Sequence, residues 1–151
     1  MASQKQYWLV KTEPETYSFE KLVVEGKTHW NGVRNFQARN HLREFKKGDQ
    51  VLVYHSGDDK AVVGVAEVAG APYPDPDPKK PGEWLQVDLK PVKALKRGVP
   101  LKEIKTTQAL ATLPLIKQSR LSVMPVTEAH FKTLLKMGDL KGDAKVSRRA
   151  P

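Results

Sequence analysis

Apolar positions along this chain come in short bursts, each closed by glycine, proline or a polar turn. Tyr7-Trp8-Leu9-Val10 is an aromatic and β-branched run that predicts a first strand, ended by Glu13-Pro14. Ser18 is placed to cap a brief helix holding Phe19, Leu22 and Val23. Phe36 to Phe45 gives the clearest helical pattern. Phe36, Ala38, Leu42 and Phe45 form its apolar face, Arg39 and Arg43 an i,i+4 basic pair, and Asn35 occupies the N-cap position. Lys47-Gly48-Asp49 closes that helix with a turn.

Val51 to Ser56 reads as a buried strand, Gly57-Asp58-Asp59-Lys60 as a hairpin turn, and Ala61 to Ala69 as the partner strand. Gly64 marks a bulge or tight bend in that partner. Pro72 to Pro81 is too rich in proline to form an element. Trp84 to Leu95 alternates as a half-buried strand, with Trp84, Gln86, Asp88 and Lys90 on one face. Pro100 to Lys105 starts a short helix, and Ala109 to Lys117 is another short helical stretch interrupted by Pro114. Leu121 to Val126 is a last strand, with Pro125 pointing to an edge. Thr127 opens a closing helix whose Ala129, Phe131, Leu134 and Leu135 recur at helical spacing. These elements predict an α+β fold: a strongly bent sheet or barrel of about five to six strands with short flanking helices, and not a parallel βαβ array.

Composition narrows the function classes. The 151 residues suit one domain, expected over 1–137, followed by a polar, basic tail over 138–151 that is expected to be mobile. No apolar run is long enough to span a bilayer, and no signal-type segment stands at Met1 to Gln6. A cytoplasmic protein is expected in a bacterium, a nuclear one in a eukaryote. Cysteine is absent, which excludes thiolate metal sites and cysteine nucleophiles. His29, His41, His55 and His130 lack ligand-type spacing, so neither metal nor cofactor is expected. The net charge of +9 favours an anionic partner, and the basic side chains are concentrated over 79–105 and 117–151.

The densest chemistry lies in Trp30-Asn31-Gly32-Val33-Arg34-Asn35-Phe36-Gln37-Ala38-Arg39-Asn40. It combines an aromatic ring, a glycine that permits close backbone approach, a guanidinium and a helix start, a set suited to a flat polar ring or an anion. A buried Trp ahead of an ordinary capped helix accounts for the same residues. Trp8 and Trp84 are read as core.

Several ordered strings carry a resemblance. Tyr7 to Pro14, Tyr17-Ser18, Trp30 to Asn35 with Gln37 to Asn40, Tyr54-His55-Ser56, Val63 to Val68, Tyr73-Pro74-Asp75 and Arg120 to Val123 are similar to the EVE domain. The resemblance covers about residues 6–136. It implies a PUA-like bent barrel, related to RNA-binding PUA domains and to YTH readers of methylated adenine. It also implies a non-catalytic module that reads a modified base in nucleic acid, DNA before RNA, with 5-methylcytosine and other modified cytosines the leading ligands. A monomer with no membrane and no obligate protein partner is expected.

For such a reader the expected ligand-binding residues are Lys11, Ser18, Trp30, Asn31, Gly32, Val33, Arg34, Asn35, Tyr54, His55, Ser56, Arg120, Leu121 and Ser122. Trp30 would supply the aromatic surface, the Gly32–Arg34 backbone a close approach, and Ser18, Ser56 and Ser122 hydroxyls. Period-two alternation places Tyr54 and Ser56 on one face and His55 on the other, so Ser56 is preferred in the pocket. The Arg120-Leu121-Ser122 string is brought to the same mouth by the resemblance alone. Arg39, Arg43, Lys46 and Lys47 are expected phosphate contacts, though a solvated helix face explains them equally well. The alternative is a small hydrolase of modified nucleosides, suggested by the related ASCH-type barrels, with Lys11 and Glu13 beside Ser18 or Ser56. Without catalysis, Lys11 and Glu13 would form only a surface ion pair. A barrel that has turned to protein or metabolite binding is a third reading.

Overall fold

β1 (Tyr7–Thr12) lies parallel to β3 (Gln50–His55), a pairing that the hydrophobic pattern did not anticipate. Parallel neighbours require a crossover. Here it consists of α1 (Phe19–Glu25), β2 (Thr28–Trp30) and α2 (Phe36–Arg43). The remaining elements are β4 (Ala61–Val68), β5 (Tyr73–Pro74), β6 (Leu85–Pro100), α3 (Leu101–Thr106), a 3₁₀ turn (Gln108–Leu110), α4 (Pro114–Lys117), β7 (Val123–Val126) and α5 (Glu128–Met137). The coordinates are a computed structural model that describes residues 6–77, 79, 80 and 82–139. The expected mobile tail lies outside them apart from Gly138 and Asp139. None of the described helices is long and apolar enough to cross a membrane.

The strands form one mixed sheet of seven, ordered β2-β6-β4-β3-β1-β7, with β5 paired to β6. The sheet curls into a half-barrel flanked by short helices. Every pairing except β1–β3 is antiparallel. β6 is the spine. It extends to Pro100, beyond the predicted Leu95, because Val99 and Pro100 pair with Val62 and Ala61 across two register shifts. Among the described residues β7 pairs only with β1, so Pro125 does stand in an edge strand.

Two strands escaped the sequence reading. β2 is only three residues long, and β5 arises inside the proline-rich segment, where Tyr73 and Pro74 pair with Gln86 and Leu85. Proline tolerates such a short edge pairing because it needs no donor there.

The curl has a local cause at Gly64, where the β4–β6 register shifts. A Cβ on this residue would stand 2.5 Å from the Phe19 ring, so the glycine lets α1 pack directly on the bend. Trp8 is buried as expected, stacking on Phe45 at 4.6 Å and donating from Nε1 to Asp49 Oδ2 at 2.9 Å. Trp84 is also buried but lies outside the main core cluster, in a separate stack with Phe36.

Candidate functional site

The end of β1, the turn before α1, strand β2 and the loop leading into α2 surround a cavity of about 480 Å³. Its walls carry Lys11, Thr12, Thr16, Tyr17, Thr28, His29, Trp30, Asn31, Gly32, Val33, Arg34 and Ser122. This volume falls in the range used for small-molecule and nucleobase-sized ligands.

The loop from Asn31 to Arg34 is held from a distance. Gly32 adopts a left-handed φ of +80°, which turns its N–H toward Asp75 Oδ2 at 2.8 Å. Arg34 donates from a guanidinium nitrogen to the same oxygen at 2.9 Å and lies 3.6 Å from Asp77. Burial pushes the Asp75 carboxyl up, but the Arg34 hydrogen bond and the Gly32 N–H outweigh it and hold the group below its usual value. The Asp75-Pro76-Asp77 segment lies in the proline-rich stretch that was expected to form no element. Instead it clamps the cavity wall, and Arg34, expected to be open to a ligand, is committed to that clamp.

β2 contributes Thr28, His29 and Trp30. Trp30 is buried and meets Tyr17 edge to face at 6.1 Å. His29 Nδ1 lies 2.7 Å from Asp88, whose carboxylate also accepts from the Tyr73 hydroxyl at 2.6 Å. A carboxylate only accepts, so the His29 proton sits on Nδ1 and Nε2 is left for other partners. The Asp88 hydrogen bond raises the Tyr73 phenol to about 12, while Tyr73 and His29 hold Asp88 below its usual value.

Lys11 reaches across the floor. Its Nζ donates to the Ser119 carbonyl at 2.7 Å and stands 5.7 Å from the centre of the Tyr54 ring. Burial pushes its pKa down. Among the described residues no ion pair joins Lys11 to Glu13. The expected surface pair is thus replaced by a carbonyl and an aromatic face.

Of the expected site residues, Lys11, Trp30, Asn31, Gly32, Val33, Arg34 and Ser122 line this cavity together. The others lie elsewhere. Ser18 and Asn35 cap α1 and α2, accepting from the Lys21 and Ala38 N–H groups. His55 is buried with Nε2 accepting from the Phe19 N–H, so its Nδ1 proton is directed at Asp59. Tyr54 supports Lys11 from the core. Ser56, the preferred hydroxyl, is outside the wall and donates its N–H to the Thr12 carbonyl. Arg120 is exposed and Leu121 is buried in the core, so only the last residue of that string reaches the wall. Of the residues in the hydrolase reading, Lys11 lines this cavity, whereas Glu13, Ser18 and Ser56 are not in its wall.

On α2, Arg39 and Arg43 both donate to Asn40 Oδ1, while Lys46 and Lys47 are exposed just beyond the helix. Sequence reasoning missed Thr12, Thr16, Tyr17, Thr28 and His29. The β-branched and aromatic run Thr28-His29-Trp30 was the available signal for Thr28 and His29. No group of three or more His, Asp or Glu side chains among the described residues is placed to hold a metal ion.

A curled mixed sheet with short helices is the PUA-like arrangement shared with YTH domains. The YTH domain of the Zygosaccharomyces rouxii MRB1 protein superposes with a TM-score of 0.58 at 16% identity, over 95% of this chain and 92% of that one. Residues 6–137 match the model of the EVE domain, and the chain belongs to that family. Thymocyte nuclear protein 1 from Gallus gallus is 34% identical over 89% of this chain and 69% of its own length. Protein Atu2648 from Agrobacterium tumefaciens has a TM-score of 0.89 at 38% identity, covering 93% of this chain and 97% of that one. Human THYN1, crystallised in complex with DNA containing 5-methylcytosine, has a TM-score of 0.82 at 30% identity, covering 91% of this chain and all of that one (100%).

Proposed function

We propose that this chain is a non-catalytic module that binds nucleic acid and holds one modified base in the cavity between β1, β2 and the Asn31–Arg34 loop. The observation that carries this reading is the wall itself: the Trp30 and Tyr17 rings, the hydroxyls of Thr12, Thr16, Thr28 and Ser122, and a backbone loop pinned by a remote carboxylate, in a volume of about 480 Å³. The likeness to human THYN1, solved with 5-methylcytosine DNA, favours a modified cytosine in DNA as the ligand.

The base leaves its stack and enters beside Trp30 and Tyr17, at a cost of about a few kcal/mol that an unpaired or damaged site lowers. Thr12, Thr16, Thr28 and Ser122 offer hydroxyls, Asn31 an amide, and the Asn31–Val33 backbone a close edge. Lys11 attracts a base oxygen or a phosphate. Because Asp75 fixes the loop beforehand, little ordering is left to binding. A methyl group alone gives about 1–3 kcal/mol of discrimination, whereas a hydroxymethyl or formyl group adds a hydrogen-bonding handle. Arg39, Arg43, Lys46 and Lys47 run along one flank as phosphate contacts.

The test is equilibrium binding to short DNA and RNA oligonucleotides, single- and double-stranded. They carry cytosine, its methyl, hydroxymethyl and formyl forms, or N6-methyladenine. Wild type is compared with Ser122→Leu, which fills the cavity. Preference for one modified base, abolished by Ser122→Leu while the thermal melt is retained, supports the reading. Equal binding to all forms, unaffected by the variant, overturns it.

A further inference from the structure

Phe36 is an aromatic ring with 52% of its surface exposed, set at the first position of α2. It contributes little to the helix there, since an aromatic residue is only a middling helix former. Its partner is Trp84, with ring centres 5.1 Å apart and planes inclined by 26°. Trp84 is itself buried, so it backs the Phe36 ring with a fixed surface.

The pair is bordered by cations. The Arg39 guanidinium lies 5.0 Å from the Phe36 ring centre and 5.9 Å from that of Trp84, and the Arg34 guanidinium 5.4 Å from Trp84. Arg39 is held by the Glu83 carbonyl at 3.1 Å and by Asn40 Oδ1. Arg34 belongs to the cavity wall and precedes Phe36 by two residues, a chain span of at most about 7 Å. The cavity and the exposed ring therefore lie within reach of adjacent nucleotides on one strand.

We infer that the Phe36–Trp84 stack is a second subsite, on which the nucleotide next to the one in the cavity lays its base. This inference rests on the base-reading proposal and deepens it by naming the neighbour's contact. An aromatic face beside an oriented guanidinium is the combination that holds single-stranded nucleic acid with little regard to sequence, because every base has a π-face. The subsite thus favours single-stranded or locally unpaired nucleic acid. It supplies affinity, while the cavity supplies selectivity.

The experiment measures two ligands on the 151-residue chain: 5-methyl-dCMP, and single-stranded pentanucleotides with 5-methylcytosine at the centre or at either end. Wild type is compared with Phe36→Leu, which keeps an apolar cover on Trp84, with Phe36→Tyr, which keeps the π-face, and with Ser122→Leu. Phe36→Leu is expected to weaken the pentanucleotides that carry the stacked neighbour by about tenfold. The mononucleotide should be unchanged, and Phe36→Tyr should behave as wild type. If Phe36→Leu leaves every pentanucleotide unchanged while Ser122→Leu abolishes binding, the subsite is overturned and the base-reading proposal stands. If Ser122→Leu changes neither ligand, the base-reading proposal falls and the subsite falls with it.

Discussion

Asp75 and Gly32 are 43 positions apart in sequence, yet the Asp75 carboxylate accepts the Gly32 N–H at 2.8 Å and the Arg34 guanidinium on the same oxygen. One buried side chain thus sets the conformation of a cavity wall it does not itself line. Asp75→Asn removes the charge with little change in shape. The expected cost in stability is about 1–3 kcal/mol, the usual range for a hydrogen-bonded charged group that loses its partner. Ligand affinity should fall with it because the loop is no longer fixed. The pH dependence has a definite sign. The native pKa of Asp75 is depressed, so its contribution is complete above the ordinary carboxylate range and is lost as pH falls through the native value. Urea unfolding across the acid range should therefore show a shallower loss of stability in Asp75→Asn than in wild type. Equal slopes would contradict the clamp.

Gly64→Ala tests the curl of the sheet. The added Cβ would stand 2.5 Å from the Phe19 ring, which must move or tilt. Overpacking of this kind costs about 1–3 kcal/mol, readable as a lower urea midpoint. Combining it with Phe19→Leu should give a smaller loss than the sum of the two single variants.

The Tyr73–Asp88–His29 group predicts an alkaline titration. The Tyr73 phenol should ionise at about 12, followed by its ring resonances in NMR, and Asp88→Asn should return it toward 10. A raised native phenol stabilises the fold below the unfolded value of about 10, and that contribution disappears as pH climbs through the native value. An unchanged Tyr73 titration in Asp88→Asn would remove Asp88 as the cause.

Much of this arrangement was legible in the sequence because its signals are local. The Ser18 and Asn35 caps and the Gly64 bulge each follow from a few neighbouring residues. The alternation holds only from Val87 to Lys90, because Trp84 and Gln86, on the face with Asp88 and Lys90, are buried. The Trp30–Arg34 string marked the cavity because its aromatic ring, glycine and guanidinium fall within five residues. What stayed hidden is long-range. Nothing near Asp75 indicates Gly32, and nothing near Lys11 indicates the Ser119 carbonyl. Period-two alternation separated Tyr54 from His55, but β3 is buried along its whole length, so alternation could not tell which residue meets a ligand. Trp84 looked like core because it is large and apolar. Its burial is real, but it faces Phe36 and two arginines.

Lys11 gives the sharpest separation of binding from stability. It is a partly buried cation whose partners are a carbonyl and the Tyr54 ring, and burial lowers its pKa. The unfolded chain therefore holds this proton more tightly than the native one. Stability should rise with pH between the native pKa of Lys11 and its unfolded value of about 10.4. Lys11→Met removes the buried charge and flattens that rise, leaving stability at neutral pH equal to or above wild type. Nucleic-acid affinity should nonetheless fall, by about tenfold if the ammonium meets a base oxygen or phosphate. Salt then separates the two contacts. A phosphate contact lowers the slope of log affinity against log salt by about 0.7–0.9 in the variant, whereas a base contact leaves the slope unchanged. Undiminished affinity in a folded Lys11→Met variant would remove Lys11 from the site.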